Sequence, residues 1–273
     1  MIILCANTRT PPGGTASRTA DDLESTWGLN YMANFHLLSI LSPALRAQPP
    51  DRDVRIIFGT CSSYMGGTLP VSAEDDPKAT KRAKKDKKSA GSDAIPFTPG
   101  GVYATSKLAL MVFAVAFQKH LAAYARPDKR PMNSRVIVVD PGWTRTPGMR
   151  RFLTLGSLWG LLVYMVTWPL WWLTLKSADQ GAQTFLYAAM EAQYGRGDGG
   201  WFLKECRQVG FMRKEIEDEV VQKKLWEVSE ETIKMLEQEG AKKRAAKKAT
   251  EAKAESKTSA TKENSTPKQR RQK

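Results

Sequence analysis

Apolar positions along the chain follow two rhythms. Short, nearly continuous apolar runs occur at Ile2 to Cys5, Val54 to Phe58 and Val136 to Val139, each closed by polar or turn-forming residues. Runs of that length without alternation suit strands buried on both faces. Between them, Leu23, Trp27, Tyr31, Phe35, Leu38 and Leu41 recur at spacings of three and four. That is the period of a helix buried along one side. A second helix is expected from about Tyr103 to Tyr124. The order strand, helix, strand, helix, strand predicts an α/β protein whose parallel sheet is covered on both faces. Further along, Ala178 to Ala192 reads as a helix, and Arg213 to Glu239 as a charged amphipathic one.

The stretch from Phe152 to Leu175 departs from both rhythms. It contains no charged residue, is rich in tryptophan, and is framed by Arg150, Arg151 and Lys176. It has the length of a membrane span. Gly156, Gly160 and Pro169 interrupt it, so a re-entrant or interfacial element fits as well as a spanning helix. Tryptophan favours the membrane interface, and plain core packing is the alternative.

Charge changes the picture less than its total suggests. The formal net charge is +14, but residues 74–88 carry seven Lys/Arg against four Asp/Glu, and residues 241–273 carry twelve against three. These two segments account for +12, which leaves the remainder close to neutral and disfavours a nucleic-acid-binding face. The Lys/Ala/Thr/Ser/Glu composition from Ala241 predicts a disordered tail. The basic run from Lys81 to Lys88 resembles a nuclear-targeting patch, although a solvated loop or attraction to anionic lipid suits it better. Cys5, Cys61 and Cys206 lack ligand-like spacing and no secretory signal precedes them, so a reducing compartment and no metal site are expected.

The candidate chemistry gathers where strands end. Tyr103 and Lys107 lie four apart on an expected helix and so share a face, where a cation favours the ionised phenol. Ser62 and Ser63 follow the second strand, with Gly66 three residues after Ser63. Asp140, Pro141 and Gly142 follow the third, with Thr144 and Thr146 just beyond. Ligand sites of parallel sheets collect at such carboxyl ends. Asn30 sits in an otherwise apolar helix, and a buried amide needs partners. Taken singly, these residues also read as a surface pair, a cap, a turn and a satisfied core amide.

Taken in order, they resemble the short-chain dehydrogenase/reductase family over about Ile2 to Val209. The resemblance implies an incomplete Rossmann-like, doubly wound sheet and a nicotinamide cofactor, NAD or NADP. It implies a tetrad in which Tyr103 is the general acid/base, Lys107 lowers its pKa and holds the nicotinamide ribose, and Ser63 bonds the substrate oxygen. Asn30 would hold a relay water, and Pro141, Gly142 and Thr146 would bind the carboxamide. The apolar segment 152–175 falls where the family places its substrate lid. That implies a steroid, retinoid or polyprenoid substrate, and a cytosolic-face location at the endoplasmic reticulum membrane or a lipid droplet, as in retinol-dehydrogenase-like and fungal lipid-droplet members. A cytoplasmic location is the second choice.

Three features depart from the family pattern. Cys5, Ala6 and Asn7 stand where it has Asn-Ala-Gly. A lysine-rich insertion over about 68–99 separates Ser63 from Tyr103. No Gly-x-x-x-Gly-x-Gly turn occurs, because Met1 falls where the fourth strand begins. The expectation is therefore an amino-terminally truncated form of the family's domain that is inactive. A noncatalytic membrane-surface scaffold retaining the tetrad is the alternative.

Overall fold

The computed structural model describes residues 1–69 and 98–263. Most of the lysine-rich insertion, with its targeting-like patch, and the last ten residues of the tail lie outside the described residues. The strands are β1 (Ile2–Leu4), β2 (Val54–Gly59), β3 (Ser134–Asp140), β4 (Trp201–Lys204) and β5 (Arg207–Val209). They form one sheet in chain order. β1 to β4 run parallel, with Ile2 opposite Ile56, Phe58 opposite Val138 and Val139 opposite Leu203, and β5 turns back antiparallel on β4. The expected strands therefore appear at the expected places, with a terminal hairpin added.

Each of the three long crossovers brings a helix onto a sheet face. Helices α1 (Ser25–Trp27) and α2 (Ala33–Arg46) flank a π-helical turn over Gly28–Met32, and α3 spans Pro99–Ala122. α3 begins earlier than expected because Pro99 occupies its first turn, where a missing N–H costs nothing. Phe58 on β2 meets Phe113 of α3 edge-on, and Phe113 in turn contacts Tyr31 and Phe35. On the other face Ile57, Ile137, Val139 and Leu203 pack with Ala188 of α7 (Ala178–Met190) and with Tyr194. Successive strand residues thus alternate between two helical layers, as a doubly wound sheet requires.

The apolar segment folds as short helices. α4 (Pro147–Leu153), α5 (Leu158–Val166) and α6 (Trp168–Thr174) are separated by a break at Leu155 and Gly156, both with positive φ, and by Thr167. At about 1.5 Å per residue, neither α5 nor α6 reaches across a bilayer core of about 30 Å. Among the described residues the helix that is long and apolar enough to do so is α3, and most of it is buried inside the protein as a core helix.

α8 runs Glu219–Glu263, starting later than expected and continuing past Ala241. Its beginning belongs to the sheet domain: Trp226 packs on Phe35, Phe113 and Phe117, and the Ser229 hydroxyl lies 2.7 Å from that of Tyr31. Residues from Glu230 onward form a unit of their own.

Candidate active site

α3 presents Tyr103 and Lys107 on successive turns, 8% and 2% exposed. Lys107 Nζ donates to the carbonyl of Gly59 at 3.0 Å, which pins it beside the last residue of β2. Its Nζ stands 5.8 Å from the centre of the Tyr103 ring. Just past β2 the chain makes a 3-10 turn over Ser62–Gly66. The Cys61 thiol lies 3.5 Å from the Tyr103 hydroxyl and donates to it. Ser62 Oγ donates to Asp140 Oδ2 at 2.7 Å, and the Gly142 amide donates to Asp140 Oδ1 at 2.9 Å. The buried Asp140 carboxylate thereby ties the turn after β2 to the turn after β3. Ser63 is half-buried on the same turn, and its hydroxyl makes no hydrogen bond among the described residues.

Asn30 is fully buried in the π turn, and its amide is satisfied on both sides. Nδ2 donates to the Thr8 carbonyl at 2.9 Å and to Ser106 Oγ at 3.1 Å, while Oδ1 accepts from the Thr8 amide at 2.7 Å. Ser106 then donates to the carbonyl of Tyr103 at 2.8 Å. One side chain thus joins the loop after β1 to the helix carrying Tyr103. The Asn30 carbonyl, displaced by the wider turn, accepts from Asn34 Nδ2 at 2.8 Å.

Gly142 has φ +77°, a conformation that favours glycine, and the Glu205 carboxylate packs where a Cβ would stand. Glu205 pairs with Lys176 at 2.9 Å. Pro141 is half-buried beside it. Thr146 is exposed and caps α4, its Oγ1 accepting from the Met149 amide at 3.2 Å, which leaves the hydroxyl proton free to donate.

Burial dominates the electrostatics. It pushes the Tyr103 phenol well above its ordinary range, with Cys61 adding to the effect, and the cation acting against it is Arg9. Burial also depresses the Lys107 ammonium, while Cys61, Cys5 and Asp140 favour its charged form. The Arg9 guanidinium lies 4.9 Å from the Tyr103 ring centre and 3.7 Å from that of Phe152. Sequence reasoning missed Arg9, Cys61 and the Ser62–Asp140 bond. No periodic or motif signal marks Arg9 or Cys61, whereas a strand-end Asp followed by Pro and Gly could have drawn attention to Asp140.

The site suits the nicotinamide-ribose end of a dinucleotide. A buried ammonium with one protein acceptor among the described residues retains two N–H groups for a diol.

Fold and site together define a class: a parallel α/β protein whose titratable groups meet at the carboxyl ends of adjacent strands. Over 244 residues the chain is 36% identical to an uncharacterized oxidoreductase of Schizosaccharomyces pombe, covering 89% of this chain and 61% of that protein. It is 28% identical over 214 residues to a polyprenol dehydrogenase of Mus musculus, covering 77% of this chain and 53% of that one. A crystal structure of an uncharacterized protein from Mycobacterium paratuberculosis superposes with a TM-score of 0.52 at 20% identity, over 85% of this chain and 67% of that one, and supports the fold. No family model matches. At 27–36% identity the chain is similar to proteins named oxidoreductase, polyprenol dehydrogenase and short-chain dehydrogenase/reductase, which supports a place in the short-chain dehydrogenase/reductase family. It spans between about half and three-fifths of the length of these curated relatives.

Proposed function

We propose that the protein is a nicotinamide-dependent oxidoreductase interconverting an alcohol and a carbonyl on a polyprenoid-like lipid, working at a membrane or lipid-droplet surface. The observation that carries this reading is the buried Tyr103–Lys107 pair at the carboxyl ends of β2 and β3. In the reductive direction the Tyr103 hydroxyl gives its proton to the substrate oxygen, and in the oxidative direction the phenolate takes it back. Ser63, whose hydroxyl is uncommitted among the described residues, donates to that oxygen and orients it. Lys107 directs its two remaining N–H groups to the ribose and its charge to the phenol. The Thr146 hydroxyl and the backbone at Pro141 and Gly142 orient the carboxamide. Asn30 holds the loop and the helix that frame the site and supports a relay water. The bound nicotinamide supplies or accepts the hydride.

Assay with polyprenol and its aldehyde as probes, with NAD(H) and NADP(H) in turn, is expected to give turnover with one of the cofactors, followed by the absorbance of the reduced nicotinamide. No turnover in any combination leaves the noncatalytic scaffold reading in its place.

The polyprenoid and membrane parts draw on the apolar segment. Trp159, Leu158 and Leu173 are 79%, 84% and 78% exposed, and Trp168, Trp172 and Val166 extend the same apolar cover. Arg145, Arg150 and Arg151 lie next to these helices in sequence, the framing expected of an element seated in an anionic interface. Each apolar side chain transferred from water contributes about 1.5–3 kcal/mol. Replacing Leu158, Trp159 and Leu173 with serine is therefore expected to weaken sedimentation with phosphatidylcholine/phosphatidylserine vesicles by about a thousandfold or more. Unchanged sedimentation rules these helices out as the anchor.

A further inference from the structure

Arg9 is an unusual residue to find where it is. It follows β1 in a turn-rich loop, yet its guanidinium stacks on two rings, 4.9 Å from the centre of Tyr103 and 3.7 Å from that of Phe152. Among the described residues it has no carboxylate partner and no hydrogen bond, and its Nε is buried without an acceptor. A cation in that position is held by the two ring faces. The neighbouring residue Thr8 is clamped through both its amide and its carbonyl by Asn30. The position of the guanidinium is therefore built into the fold.

We infer that Arg9 is a second activating cation of this site, a positioning residue that favours the ionised form of Tyr103 and fastens the Tyr103 ring to Phe152 at the root of the apolar helices. The inference rests on the reading of Tyr103 as the acid/base, and it assigns to the loop after β1 a task that sequence resemblance gives to Lys107 alone. The charged and titratable groups around Tyr103 divide by sign. Burial, Cys61 and Asp140 oppose the phenolate, and Arg9 is the cation acting directly against them. Lys107 is itself weakened as a cation by its burial. Arg9 thus places a second positive charge over the Tyr103 ring.

Nitration by tetranitromethane, which attacks the phenolate, tests this without cofactor or substrate. Tyr103 nitration would be followed by mass spectrometry in the wild-type protein, in Arg9→Met and in Arg9→Lys, relative to the more exposed Tyr124. One pKa unit of lost charge interaction lowers the phenolate fraction about tenfold. Arg9→Met, which keeps bulk and loses charge, is expected to slow Tyr103 nitration by about that factor, and Arg9→Lys to restore it to within about twofold of wild type. Equal or faster nitration in Arg9→Met overturns the inference, because Arg9 would then be only a cover. So does Arg9→Lys falling as far as Arg9→Met, or a wild-type Tyr103 that does not react. Failure of the proposed oxidoreductase activity would appear separately, in the turnover assay, and would leave the nitration result readable.

Discussion

Replacing Tyr103 with phenylalanine is expected to lower turnover by about a hundred- to ten-thousand-fold, the range over which a positioned general acid/base contributes. The substitution removes one oxygen and one transferable proton. It leaves the ring that Arg9 stacks on, the Lys107 bond to Gly59, and the Asn30–Ser106 link that holds the Tyr103 carbonyl. Stability should change little, because the hydroxyl lost is buried and its partner is a weakly donating thiol at 3.5 Å. Cofactor affinity, measured by quenching of tryptophan fluorescence, should likewise stay near the wild-type value, since the proposed ribose contacts are those of Lys107. The diagnostic result is a selective loss of turnover with unchanged binding and melting temperature. Turnover within a factor of a few of wild type would remove Tyr103 from the acid/base role and the proposed reaction with it.

The parts of this arrangement that were legible in the sequence are those carried by periodicity. β1, β2 and β3 announce themselves as apolar runs, and the spacing from Leu23 to Leu41 gives α2 its buried side. That pattern alone places Tyr103, Lys107, Asn30 and the turns after β2 and β3. What was not legible depends on backbone detail or on distant partners. The β4–β5 hairpin turns through Glu205 and Cys206, both in the left-handed region with φ of 51° and 61°. Such turns normally advertise themselves with asparagine and glycine, and neither residue is present here. The π turn at Asn30 adds no residue type that distinguishes it from an ordinary helix. The Arg9 stack requires Phe152, which sequence reading assigns to a membrane-like segment. Likewise the contact between Cys61 and Tyr103 follows from how the 3-10 turn leaves β2, and the alternation of residues does not encode that geometry.

Phe113→Ala is expected to be the most damaging single core substitution, and it bears on the site through α3. Phe113 is 2% exposed and stands at the centre of an aromatic cluster, with ring centroids 6.2 Å from Tyr31, 5.0 Å from Phe35, 6.1 Å from Phe58, 5.5 Å from Phe117 and 5.6 Å from Trp226. These partners come from the π turn, α2, β2, α3 itself and α8, so one ring couples four parts of the fold to the helix bearing Tyr103 and Lys107. Truncation removes the transfer energy of the ring and leaves a cavity whose walls are large, rigid side chains that collapse poorly into it. A loss of about 3–5 kcal/mol follows. Domains of this kind are typically stable by about 5–15 kcal/mol, so that loss is a large share of the total. Denaturant unfolding followed by tryptophan fluorescence should show the midpoint shifted strongly downward, with Trp226 reporting from the cluster. Phe113→Leu, which refills most of the volume, should recover much of the difference. A loss below about 1 kcal/mol for the alanine variant would mean that α3 is not held on the sheet by this ring. The positions of Tyr103 and Lys107 would then have to be fixed mainly by the polar links at Gly59 and Asn30.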